Sequence, residues 1–232
     1  MKDSRSAKPA TRRAAPLRAK PRAAAGAVER TAGSRRPHTS GAEAHEHLLR
    51  AATELFYREG ARAVGVDAVV EKAGVNKMSL YRQFSSKDDL IVAYLELSDR
   101  EFFARFDRSI AKHPGDAVKQ LNQYFADLAR RASKEDYRGC PFVNTAAEFP
   151  DASHPARLCV SRNKTRLIER LNQLAMQAGA RNPMELADAL ALLIEGIYAA
   201  SQTYGPGCGP ITIAPTVAAQ LIAAACADEP VE

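Results

Sequence analysis

Apolar residues in this chain recur at steps of three and four almost from residue 48 to its end, the spacing that puts them on one face of a helix. Leu48, Leu49, Ala52, Leu55 and Phe56 follow a Ser-x-x-Glu capping box at Ser40 and Glu43, so a first helix opens at residue 40 and stops near Gly60. A second, short helix over residues 66–73 turns Val66, Val69, Val70 and Ala73 inward, and Gly74 ends it where a positive φ is needed. Asn76 then caps a third helix that gives Val75, Leu80 and Phe84 to a core. Two short helices across a glycine turn make a helix-turn-helix, whose second member lies in the major groove of DNA.

Beyond residue 86 the pattern predicts helix after helix. Ser86 caps a fourth helix over residues 87–112, broken by Pro114 and Gly115, and a fifth runs over 116–133 with Val118, Leu121, Phe125 and Leu128 along one side. Pro141 starts a short sixth helix, PFVNTAAEF, closed by Pro150. The seventh follows DASHP and extends to residue 178, burying Leu158, Leu167, Leu171 and Leu174 and exposing Arg162, Lys164, Arg166, Glu169 and Arg170. The eighth starts at Asn182, Pro183 and Glu185 and carries two apolar lines, Leu186, Leu190, Leu193 and Ile197 beside Ala187, Ala191, Ile194 and Tyr198. A last helix over 215–227 repeats this with Val217, Leu221 and Ala224 beside Ala218, Ile222 and Ala225. Two apolar sides need two partners, and a second copy of the chain supplies one as a four-helix interface.

The segment AGVNKMSLYRQFSSK at 73–87 sets the polar character of the head, with an aromatic, cations and small hydroxyls on one outer face. Residues 45–95 resemble the DNA-binding domain of the TetR family of bacterial transcriptional regulators, through AATELF, then AGV, then LYRQF, then SKDDL. The resemblance implies that Lys77, Met78 and Ser79 face base edges while Tyr81, Gln83 and Lys87 hold phosphates. It also implies dimerisation through the last two helices, with two recognition helices about 34 Å apart on the halves of a pseudo-palindrome. Val64 and Gly65 stand where the family usually has Thr followed by Ser or Thr, Met78 where Gly is common, and Gln83 where His or Tyr is common. These departures bear on which operator is read.

The expected architecture is therefore all-α: a basic tail at 1–40, a three-helix helix-turn-helix head at 41–92, and a C-terminal helical ligand-binding and dimerisation body at 93–232. With 232 residues, 46% of them hydrophobic, the chain is long enough for a sizeable core. No apolar run reaches the roughly 18 residues that span a bilayer, so no membrane partner is expected. Cys140, Cys159, Cys208 and Cys226 lack the spacing of a zinc site or disulfide framework, which suits a reducing cytoplasm. Residues 1–40 hold eleven Lys and Arg against Asp3 and Glu29, an excess of nine, so with the whole chain at +6 the remainder is net −3. A tail of that composition has nothing to bury, and is read either as an arm along phosphates or as a solvated extension; prolines set a transit peptide aside.

No nucleophile–base pair, metal cluster or phosphate loop is present in the pattern, so neither an enzyme nor a cofactor is expected. Placement selects Phe125, Leu128, Phe142, Asn144, Glu148, Tyr198 and Gln202 as candidates for a small-molecule effector pocket. Cys140, just before the sixth helix, is either a thiol activated by that helix end or a buried inert one. His154 reads as a loop residue. The leading expectation is a ligand-released, homodimeric repressor on double-stranded DNA. A small-molecule-binding or redox-responsive helical protein, and a DNA-coating protein working through its tail, are the alternatives.

Overall fold

The computed structural model describes residues 41–227, which form nine α-helices joined by turns, with no strand among the described residues. The first three, α1 (Gly41–Glu59), α2 (Val66–Ala73) and α3 (Lys77–Gln83), make a head. Leu48, Ala51, Ala52 and Phe56 of α1 share a core with Val69 and Val70 of α2 and Leu80 of α3. Each large apolar side chain so buried contributes about 1.5–3 kcal/mol against leaving it in water. The basic segment 1–40, including the Ser40 cap, lies outside the described residues.

Local signals act as their chemistry demands. Gly74 sits at φ 68°, and the Gly74 and Val75 N–H groups bond back to Glu71 O and Val70 O, closing α2 with a Schellman turn. Gly65 precedes α2 without a side-chain cap, and Val64 is buried beside it. Asn76 Oδ1 accepts the Ser79 N–H at 2.8 Å to open α3, and Phe84 closes the head with its ring stacked 4.8 Å from His45.

α4 (Lys87–Ile110) is shared between head and body. Ser86 Oγ caps it by accepting the Asp89 N–H at 3.0 Å. Its first half packs Tyr94 edge-on against Phe56 of α1, and its second half carries Phe103 and Phe106 into the body, where Phe106 meets Tyr124. The boundary expected between residues 92 and 93 therefore falls inside one continuous helix.

The body comprises α5 (Ala117–Ala132), α6 (Pro141–Glu148), α7 (Pro155–Gln177), α8 (Pro183–Thr203) and α9 (Gly209–Cys226). α8 lies between α7 and α9, and α9 also packs on α5. Leu121, Phe125 and Leu128 of α5 join Leu167 and Leu171 of α7, Leu190 and Ile194 of α8, and Ile211 and Ala214 of α9 in one core.

Four expectations change here. The last helix begins at Gly209, with Pro210 in its first turn, and Pro215 lies inside it. Pro215 costs α9 one hydrogen bond, which would be to Ile211 O. Starting six residues early makes α9 an 18-residue helix, apolar and long enough to cross a membrane by length and composition alone; it packs along α5 and α8. Leu158 is 53% exposed, because Cys159 and Val160 take the inward positions of α7. Lys164 and Arg170 are half-buried, Lys164 paired with Glu195 and Arg170 with Asp107. Both apolar lines of α8 are taken up within the chain by its two neighbours, and the side left over carries Leu192, 75% exposed.

Candidate nucleic-acid interface and effector cavity

α3 fixes the outward face of the head. Leu80 anchors it, so the neighbouring positions turn to solvent, with Met78 68% and Tyr81 51% exposed. Lys77 Nζ is held 2.8 Å from Asp67 Oδ1 at the start of α2, and that carboxylate strengthens the lysine's hold on its proton. Ser79 donates its hydroxyl to Asn76 Oδ1 at 3.1 Å as well as its N–H, so it serves the cap in this state. Arg82, also exposed on α3, is a cation that the helical pattern did not single out.

The residues assigned to phosphates are more constrained. Tyr81 is open; Gln83 is half-buried near Gly41. Lys87 reaches across to donate a 3.0 Å hydrogen bond to Arg62 O, in the turn between α1 and α2, and burial lowers its pKa. An ammonium has three protons, so that bond leaves two for an outside acceptor.

The seven effector candidates are not brought together. Phe125 and Leu128 lie in the body core with no exposure. Phe142 is buried edge-on against Phe102. Asn144, Glu148 and Gln202 line a surface cleft beside α1: Gln202 Nε2 donates to Asn144 Oδ1 at 3.2 Å, and Glu148 bonds to Arg62. Tyr198 lies elsewhere, on the wall of a cavity of about 300 Å³.

That cavity is assembled from five separate stretches. α1 contributes Thr53, Glu54 and Tyr57; α4 contributes Tyr94, Ser98, Glu101, Phe102 and Arg105. Arg131 near the end of α5 and the segment with Tyr137, Gly139, Cys140 and Pro141 close it against Tyr198 of α8. Tyr57 ties the head to this segment, its hydroxyl accepting the Arg138 N–H at 2.8 Å and donating to Gly139 O at 3.3 Å. Burial pushes the Tyr94, Tyr137 and Tyr198 hydroxyls up, so all three are neutral donors near pH 7. Burial also pushes the Cys140 thiol up, opposed by Lys164 with Nζ at 3.9 Å, an environment that favours the buried inert thiol of the two readings. His154 is the N-cap of α7, its Nδ1 accepting the Ala156 N–H, with Nε2 3.6 Å from Asp88. Among the described residues no three His, Cys, Asp or Glu side chains are placed to hold a metal ion.

Residues 48–94 match the family model of bacterial regulatory proteins, tetR family, and residues 117–207 match that of the tetracyclin repressor-like C-terminal domain. A TetR-family transcriptional regulator from Streptomyces coelicolor is 30% identical in its crystal structure, with a TM-score of 0.71 over 80% of this chain and 95% of that one. This chain belongs to the TetR family.

A second TetR-family structure, a putative regulator from Streptomyces avermitilis, is 31% identical with a TM-score of 0.69, covering 78% of this chain and 97% of its own. The transcriptional repressor ComR of Escherichia coli K12 is 28% identical over 159 residues, 64% of this chain and 75% of ComR. The protein is thus a TetR-family DNA-binding transcriptional regulator, of a kind commonly acting as repressors. The first match spans α1 through the start of α4, and the second spans α5 to just past α8, so α9 falls beyond both.

Proposed function

We propose that this TetR-family protein is a cytoplasmic repressor that binds a pseudo-palindromic operator as a homodimer through α8 and α9 and is released by a small molecule. The observation that carries the reading is the outward face of α3, where Met78 and Tyr81 stand in solvent beside Lys77 while Leu80 locks the helix from behind. Lys77, Met78 and Ser79 would meet base edges, Lys donating to guanine O6 and N7 after leaving Asp67. Tyr81, Gln83 and Lys87 would hold phosphates and set register. The relative ComR carries the word repressor in its name, which supports the sign of regulation.

The dimer reading is supported by what α8 and α9 leave uncovered. Leu192 and Met184 of α8 and Ile213 of α9 are exposed in a single chain, and only Ile211, Ala214, Ala218 and Ile222 of α9 are buried. Exposed apolar area concentrated on two adjacent helices is stabilised by a second copy. Release follows from linkage: a ligand preferring one head spacing by about 2.7 kcal/mol changes operator affinity a hundredfold. The test is footprinting of the purified full chain on the DNA flanking its own gene. Tyr81→Ala should abolish the sequence-specific footprint, and a footprint indifferent to sequence would end the reading.

A further inference from the structure

The cavity between α1, α4 and residues 137–141 has a chemical bias that the effector reading alone does not specify. Its lining is rich in rings, Tyr57, Tyr94, Phe102, Tyr137 and Tyr198, an aromatic wall that suits a π system. Its volume of about 300 Å³ suits a small organic molecule. Charge on the wall is uneven. Glu54 is held by Lys72 at 2.9 Å and Arg105 by Glu101 at 3.3 Å, whereas half-buried Arg131 has no carboxylate within 4 Å among the described residues. A partly desolvated guanidinium with no counter-charge is stabilised by a carboxylate, which it can grip with two parallel N–H bonds.

We infer that this cavity takes an aromatic organic anion, its carboxylate on Arg131 and its flat body among the tyrosines. Thr53 and Tyr57 belong to α1, so the occupant touches the DNA-binding head directly as well as acting through α4. This rests on the reading of an effector-released regulator.

The test uses the full chain, free of DNA, titrated in a calorimeter with 2-naphthoate and with its neutral isostere 2-naphthamide. Naphthoate should bind at least about tenfold tighter, the worth of a charge-assisted pair over a neutral one. Arg131→Gln should erase that preference while leaving naphthamide affinity unchanged, and Arg131→Lys should keep it in part, with thermal melts checking that both variants fold. Equal affinity for the two probes, binding of neither, or a preference that survives Arg131→Gln overturns the inference. Operator shifts on the same preparations separate the two claims. Naphthoate binding that leaves operator affinity unchanged overturns the direct contact with α1, while loss of any specific operator shift strikes the regulator reading alone.

Discussion

Glu148 Oε2 accepts the backbone N–H of Arg62 at 2.6 Å, and Arg62 Nη1 returns a 3.1 Å bond to Glu148 O. This reciprocal pair fastens the α1–α2 turn of the head to the end of α6 in the body, a joint separate from α4. Gly60 lies beside it at φ 95°, where an added Cβ would stand 3.0 Å from Glu148 Oε1. Glu148→Ala should lower stability by about 1 kcal/mol, with Glu148→Gln, which keeps an acceptor, losing less. Urea midpoints at unchanged m-value measure it.

On the proposed reading, Asp67 competes with DNA for Lys77. Asp67→Asn should free the ammonium and remove a like charge from the phosphate-facing surface, tightening operator binding and steepening the dependence of log affinity on log salt by about one unit. Lys77→Ala should weaken specific binding by roughly tenfold or more, most at the base it reads. Fluorescence anisotropy at several salt concentrations reads both.

Leu192 is exposed in the single chain, so Leu192→Glu should leave the protomer's own fold intact. It would place a charge in the centre of the proposed seam between copies. Sedimentation should then show a monomer, and operator affinity should fall by about tenfold or more as one half-site is lost.

The Tyr124 hydroxyl is fully buried beside the Tyr198 hydroxyl and is pushed up to about 12 by burial from an ordinary value of 10.0. Its folded pKa lies above its unfolded one, so its contribution to stability is complete below about pH 10. That contribution is lost as pH rises toward 12, at about 1.4 kcal/mol per pH unit. Tyr124→Phe should change stability little at neutral pH and make the alkaline decline shallower. Urea unfolding at about pH 8 and about pH 11 measures the difference.

The head was legible from residues alone because its signals are local. Asn76, Ser86 and Gly74 act on backbone groups within four residues of themselves, and the three-and-four spacing of Leu48, Ala52 and Phe56 names a buried face whatever that face meets. Pro215 misled because proline is tolerated at a helix start, and Pro210 already fills that role in α9.

What no local pattern carries is how many neighbours a helix acquires. α8 has two apolar lines in sequence, and only its position between α7 and α9 decides that both are used up inside the chain and that Leu192 is left outward. Lys87 looks like a free cation until the fold brings Arg62 O within 3.0 Å of it. The cavity has no sequence signature at all, because Thr53, Tyr94, Arg131 and Tyr198 belong to four segments whose meeting is settled by the packing of the whole core. Periodicity and capping, which act within a turn, chose the helices; the burial free energy summed over all of them chose which faces were left exposed.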